Sequence, residues 1–521
     1  MSLVKSVGTI GGLTMVSRVF GFARDILLAR FLGAGTGADA FFVAFKLPNI
    51  FRRLFAEGAF SAAFVPMFSK AWHGDGGQAA ALTFSRQVLS VFLPVLFIFT
   101  ALAEIFMPWI VDAMANAYRD VPGKFELTVD LTRITFVYLL LISLVSLLAG
   151  ILNSLSRFAA AAAAPILLNI CLITAVVIFG SAEPDPDVST ARALAVAVSI
   201  AGMLQFVWLL WAVHRAGLDL RIDRPRLTPD VKRLLTIILP ATFGAGIYQV
   251  SQLVDVFFAT RLEEGAMSFL NYADRLNQLP LGVIGIALGT AILPALSRLV
   301  GRDDQDGAQR LMGTALELSM LLTVPGAVGL VMCAEPLVTA IFLGGRFTPA
   351  DAAVTSNVIA ALAVGLPAYV LIKVFTPGYY ARGDTKTPVW TALAALVVNV
   401  TVILLLIGRL EVVALPTAAA CAAWVNCVLL YAGLHRTGRY RLTAITAGRV
   451  AKQVAAAAAM ALLLWYLRDV FDGFYAANVF RRIVGIGALV GGGLLAYAVT
   501  LLLVGGVDRA QLAKLRRSSA N

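Results

Sequence analysis

The run SRVFGFARD at residues 17–25 places Ser17, Arg18, Arg24 and Asp25 inside an otherwise apolar stretch. A second stretch, 36–70, carries Asp39, Lys46, Asn49, Arg52, Arg53 and Glu57, and a later one, 267–298, carries Asn271, Asp274, Arg275 and Gln278. Lys373 stands within the stretch 351–381. An ionised side chain at the centre of a bilayer costs at least about 2.5–3.5 kcal/mol, so each of these must face a cavity or a partner. Arg18 and Asp25 are seven residues apart and share a helix face, as do Asp39, Lys46 and Arg53; Arg53 and Glu57 are a four-residue pair. Two chemistries are open to Arg53–Glu57 and Asp39–Lys46: ion pairs that lock helices together, or part of a polar site. For Arg18, Arg24, Arg52 and Arg275 the count favours a site, because four guanidiniums exceed the acids able to neutralise them. A guanidinium is a rigid fork of donors matched to phosphate and carboxylate, so a surplus of them suits an anion such as a diphosphate. Ser17, Asp25, Asp39, Lys46, Asn49, Arg53, Glu57, Asn271, Asp274 and Lys373 are the supporting polar residues. Asp255, near Gln249 and Gln252, is a weaker candidate for holding a coupling cation; an interhelical hydrogen bond is the alternative.

The elements that position these residues follow from composition. Of 521 residues 60% are hydrophobic and 14% charged, with a mean hydropathy of +0.85; soluble domains run near 45–50% and about 25%. A spanning helix needs roughly 20 apolar residues. About fourteen stretches qualify: 10–32, 36–70, 82–113, 126–152, 157–180, 190–214, 232–260, 267–298, 308–333, 351–381, 386–408, 412–435, 447–468 and 481–506. Hydrocarbon leaves unpaired backbone groups unsatisfied, and the alternation of a barrel is missing, so the fold class is an all-α polytopic membrane protein. The second stretch contains Pro48, Gly58 and Pro66 and is expected to be tilted, kinked or broken. The net charge of +12 reflects basic loops rather than nucleic-acid binding. Four cysteines without CxxC spacing and three scattered histidines indicate no metal site, no disulfide framework and no cofactor. No loop carries the clustered acids or histidines that a membrane-embedded enzyme would need.

Loop charge sets the expected orientation. The gap 214–233 holds Arg215, Arg221, Arg224, Arg226, Lys232 and Arg233, and the gap after 435 adds Arg436, Arg439, Arg441 and Arg449, whereas 181–189 has three acids and no base. Both termini are therefore expected in the cytoplasm, with Arg119 and Lys124 an exception on the outer side. An internal repeat is also present. VPMFSK at 65–70 matches LPALSR at 293–298, Ala38 and Phe41 fall on Ala266 and Phe269, Tyr138 falls on Tyr369 and Asn169 on Asn399, all near one offset. The expected organisation is an N-terminal lobe at 1–215, a basic linker at 216–231, a second six-helix lobe at 232–436, and an extra helix pair with a basic tail at 437–521. The lobes are expected to be pseudo-symmetric about a central cavity.

The run from Ser17 to Pro66 resembles the opening of the MurJ (MviN) lipid II flippases, members of the multidrug/oligosaccharidyl-lipid/polysaccharide exporter superfamily. YADRLNQLPLGVIGIALGTAILP at 272–294 and KVFTPGYYARGDTKTP at 373–388 resemble later signatures of that family. The resemblance implies a transporter, not an enzyme, that moves lipid II between leaflets of the bacterial inner membrane for peptidoglycan synthesis. Membrane lipid and the peptidoglycan-synthesis machinery are the expected neighbours. It also implies that Arg18, Arg24, Arg52 and Arg275 handle the diphosphate and headgroup, with Asp39, Lys46 and Glu57 on family positions. The last two helices are implied to form a groove for the lipid tail. An exporter of another lipid-linked glycan, or of drugs, is the alternative reading.

Overall fold

The computed structural model describes residues 3–55, 59–180, 186–475 and 478–506, and among the described residues it is all helix with connecting loops. In chain order the helices are α1 (Leu3–Leu32), α2 (Thr36–Phe55), α3 (Ala59–His73), α4 (Gly77–Ile105), α5 (Met107–Ala115), α6 (Lys124–Ser154), α7 (Phe158–Phe179), α8 (Pro186–Arg215), α9 (Pro229–Ala259) and α10 (Ala266–Gly301). They continue as α11 (Gln305–Met332), α12 (Ala334–Ile341), α13 (Pro349–Val364), α14 (Leu366–Tyr380), α15 (Lys386–Leu410), α16 (Ala414–Arg436), α17 (Ala444–Val470), α18 (Asp472–Tyr475) and α19 (Val479–Leu503). Every apolar stretch expected from the sequence is covered by one of these helices or by a broken pair. Among the described residues, nine stretches are long and apolar enough to cross a membrane. One of them, Lys386–Arg436, folds back on itself at Glu411–Val413, so that α15 packs along α16.

Two of the breaks are followed at once by a proline. The stretch 82–113 is interrupted at Phe106, with Pro108 opening the first turn of α5. The stretch 351–381 is interrupted at Gly365, with Pro367 in the first turn of α14; proline is preorganised for the first turn of a helix. The second stretch carries α2 and α3, and residues 56–58 between them, Glu57 included, lie outside the described residues.

Contacts group the chain into two compact units, one comprising residues up to Ser268 with Gly345–Phe347, the other Phe269–Gly344 and the residues from Thr348 on. By this grouping α9 lies with the first unit, whereas the sequence repeat starts a second lobe at 232. In the first unit α6 is the hub: most of its span is buried, and α2, α3, α4, α5 and α8 pack on it. Two close approaches explain small residues. A side chain at Gly202 of α8 would begin 2.7 Å from the Tyr138 ring of α6, and one at Gly37 of α2 would begin 2.5 Å from the Asp187 carbonyl oxygen of α8. On α3 the four-residue spacing of Phe60, Phe64, Phe68 and Trp72 produces a ladder of rings 5.3, 5.8 and 6.0 Å apart. Phe84 and Phe92 of α4 stack against it at 5.5 and 5.0 Å, offset-ring packing that adds to apolar burial.

In the second unit α11 carries two cores. One joins it to α10, α14 and α16, the other to α17 and α19. The attachment of α17 is also polar. Glu317, buried on α11, accepts from Thr446 Oγ1 at 2.8 Å and from Arg449 Nη1 at 2.9 Å, and its carbonyl accepts from Gln453 Nε2 at 3.3 Å. Residues 446, 449 and 453 are one face of α17.

Candidate functional site

In α1 the sequence-derived candidates are drawn into one cluster with α7. Arg24 and Asp25 are 6% and 4% exposed. Arg24 Nε and Nη2 both donate to Asp25 Oδ1, at 3.0 and 2.7 Å, and Nη1 donates to Asn169 Oδ1 at 2.9 Å. Asn169 Nδ2 then donates to the Ser17 carbonyl at 3.0 Å, so Ser17 contributes through its backbone. Gly21 faces the same amide: a Cβ there would stand at ordinary contact distance, 3.6 Å, from Asn169 Nδ2. Neighbouring guanidinium and carboxylate compensate each other inside an apolar segment, where either charge alone would be left buried without a partner. The Arg24 fork is thereby held in one orientation. Arg18 is half-buried, on the same side of α1 as Asp25 and about 9 Å along the axis from Arg24.

The polar stripe of α2 is divided by Pro48. A proline cannot donate to the carbonyl four residues earlier, which here is that of Ala44. Thr135 Oγ1 of α6, fully buried, donates to the Ala44 oxygen at 3.0 Å. The freed acceptor is thus satisfied by a neighbouring helix, and α2 continues through Pro48 from Asp39 and Lys46 to Asn49, Arg52 and Arg53. Thr135→Val keeps the shape and removes the donor. It is expected to destabilise the fold by about 1–3 kcal/mol, with Thr135→Ser near wild type; unfolding titrations in detergent measure the difference. Lys46, Asn49 and Arg52 are half-buried and Arg53 is exposed, and Asn49 Nδ2 donates to the Phe45 carbonyl at 2.9 Å.

Asp39 does not pair with Lys46. Its carboxylate is 1% exposed and takes Lys124 Nζ of α6 at 3.0 Å. It also accepts from the Gly265 amide at 2.9 Å, the Ser268 amide at 3.1 Å and the Ser268 hydroxyl at 2.8 Å. The start of α10 is therefore hung on a carboxylate of α2, with its amide donors aimed at negative charge as a helix N-terminus favours. Lys124 Nζ additionally stands 4.4 Å from the Tyr118 ring centroid. This accounts for the two basic residues on the loop expected to be outside: Lys124 is buried against Asp39, and Arg119 pairs with Asp112 at 2.6 Å and lies over Phe125. Sequence reasoning overlooked Lys124, although its breach of the loop-charge pattern was the available signal. It also noted Asn169 only as a repeat marker, and Thr135 not at all.

The remaining candidates lie in the second unit. Asn271, Asp274 and Arg275 are half-buried on α10 and Gln278 is exposed; these positions share one helix face. Gln278 Nε2 donates to Asp274 Oδ2. Lys373 is exposed on α14. Asp255, on α9 of the first unit, is half-buried, and among the described residues no three acidic, histidine or cysteine side chains gather as a metal site would need.

Comparison with known proteins places this geometry in context. Residues 28–485 match the family model described as "Lipid II flippase MurJ". A "Probable lipid II flippase MurJ" of Rhizobium meliloti (strain 1021) is 41% identical over 521 residues, covering 99% of this chain and 96% of that protein. Among solved structures, "Lipid II flippase MurJ, inward closed conformation" superposes with a TM-score of 0.77 at 21% identity, covering 94% of this chain and 97% of the other. An inward-facing multidrug resistance MATE family transporter of the MOP superfamily gives a TM-score of 0.64 at 15% identity, covering 83% and 98%. At these identities the structural likenesses establish the fold.

Proposed function

Because the chain belongs to the lipid II flippase MurJ family, we propose that it carries lipid II, an undecaprenyl-diphosphate-linked peptidoglycan precursor, from the inner to the outer leaflet of the bacterial cytoplasmic membrane. The observation that carries this reading is the end-to-end kinship with lipid II flippases, which takes in α1, α2 and α10, where the charged residues stand. In this reading Arg18, Arg24, Arg52 and Arg275 receive the diphosphate. Asp25 and Asn169 support it by holding the Arg24 fork. A diphosphate offers several oxygens to such forks at once. Asp39, Lys46, Asn49, Arg53, Glu57, Asn271, Asp274 and Lys373 set the surrounding polarity.

Transport then proceeds by exposing the same residues first to one face of the membrane and then to the other, while the polyprenyl tail stays in lipid. Basic loops at 214–233 and 435–449 support a cytoplasmic position for both termini. Charged residues within the spanning helices give the membrane potential a handle, worth about 2.3 kcal/mol per charge per 100 mV. Native mass spectrometry of the detergent-solubilised protein with added lipid II tests the assignment. Arg18→Ala is expected to weaken retention about tenfold or more, since a hydrogen bond to a charged group contributes about 1.5–3 kcal/mol. Equal retention by wild type, Arg18→Ala and Arg52→Ala would remove these residues from the site.

A further inference from the structure

The linker between α8 and α9 has no regular secondary structure from 218 to 228, yet it follows a fixed course along α4. Gln78 Nε2 donates to the Gly217 carbonyl at 3.0 Å, and Arg86 donates twice to the Asp219 carbonyl, at 3.2 and 2.7 Å. The Asp223 amide donates to Ser90 Oγ at 2.8 Å, and the Thr228 hydroxyl donates to Gln87 Oε1 at 2.9 Å. Leu218 is tucked in at 2% exposure. The linker thus descends α4 as far as Ser90 and turns back one helical turn to meet α9. Arg86 and Gln87 are the last charged or amide side chains of α4 before Glu104, so the turn lies at the depth where the helix changes from polar to apolar.

The direction it faces follows from helical geometry. At 100° per residue, positions eleven apart point within about 20° of each other. Arg86 and Gln87 therefore share a face with Phe97 and Ile98, and Ser90, seven before Phe97, joins them. Phe97 and Ile98 are 64% and 57% exposed, the lipid-facing side of a spanning helix. The linker consequently sits above lipid rather than above protein. In that place it presents two large aliphatic side chains outward, Ile222 at 65% and Leu227 at 58% exposure. Arg221, Arg224 and Arg226 are exposed among them. Arg221 is engaged by Asp219 at 2.9 Å, and Asp223 is the other acid in the segment. Aliphatic side chains interleaved with guanidiniums, at the polar–apolar boundary, are the composition of a segment that lies in a membrane interface.

We propose that residues 221–227 form an interfacial lipid anchor. Ile222 and Leu227 enter the acyl boundary of the adjoining leaflet, and Arg224 and Arg226 bind the phosphates of anionic phospholipids. The anchor holds the start of α9 at headgroup depth and does not depend on which substrate is transported.

The test uses the full-length chain in nanodiscs, with Ile222→Trp and, separately, Leu227→Trp, each read as the difference from the unsubstituted protein. Both added tryptophans are expected to emit to the blue of the water value and to be quenched by acyl-brominated lipid. Quenching by brominated phosphatidylglycerol is expected to exceed that by brominated phosphatidylcholine, and each of Arg224→Ala and Arg226→Ala to lower that preference about fivefold. Water-like, unquenched emission at both positions would overturn the anchor and point instead to a protein partner. Quenching without headgroup preference, unaltered by the arginine variants, would overturn the phosphate-binding role.

Discussion

Arg24→Ala is expected to abolish transport and also to destabilise the protein by about 3–5 kcal/mol, the usual consequence of leaving one member of a buried ion pair uncompensated. Read from the sequence alone, Arg24 is one of four guanidiniums in excess of the acids able to neutralise them. The structure gives a different expectation, because Asp25 holds Arg24 through two donors at 3.0 and 2.7 Å with both side chains almost out of water. Removing the guanidinium strands the Asp25 carboxylate and frees Asn169. The double variant Arg24→Met/Asp25→Leu replaces the pair by apolar groups of similar length and is expected to recover most of the lost stability. It should still not transport. Unfolding titrations on the two singles and the double give the coupling directly; a single variant as stable as wild type would show that the pair contributes nothing to the fold.

The second large effect belongs to Asp39. Asp39→Asn preserves shape but leaves the buried Lys124 ammonium without a counter-charge and replaces an acceptor of four hydrogen bonds with one that must turn a donor toward some of them. A loss of about 3–5 kcal/mol is expected, with Lys124→Met in the same background restoring part of it. The local consequence separates this site from Arg24. The amides of Gly265 and Ser268 bond to the Asp39 carboxylate at 2.9 and 3.1 Å, so hydrogen exchange at 265–268 should rise in Asp39→Asn and stay near wild type in the Arg24→Met/Asp25→Leu double. Unchanged exchange at 265–268 would mean that the carboxylate does not hold the start of α10.

The helices were legible in the sequence because hydrocarbon permits few alternatives: apolar length gave the segments, but not the breaks at Phe106 and Gly365. Site residues were legible as a set, since charge inside an apolar stretch needs an explanation. Their partners were not. Asp39 and Lys46 share a face by spacing, but the cation that reaches Asp39 comes from α6, 85 residues away, and no periodicity within α2 encodes that. Asn169 and Thr135 act on α1 and α2 through single hydrogen bonds across helices, and an asparagine or threonine in an apolar run carries no mark of its target. The break at Phe106 and the grouping of α9 with the first unit likewise depend on tertiary packing. What could have been drawn further was Lys124: a basic residue on the wrong side of the loop-charge pattern is a sign of a buried acid waiting for it.

The most direct measurement of the central claim is lipid II accessibility at the outer leaflet in bacteria depleted of their own lipid II flippase and supplied with this chain. The account predicts that the wild-type chain restores outer-leaflet lipid II and growth, and that Arg275→Ala, expressed and inserted to the same level, does neither. A well-inserted wild type that leaves lipid II inside would contradict the assigned substrate, and an Arg275→Ala variant that restores transport would contradict the anion site.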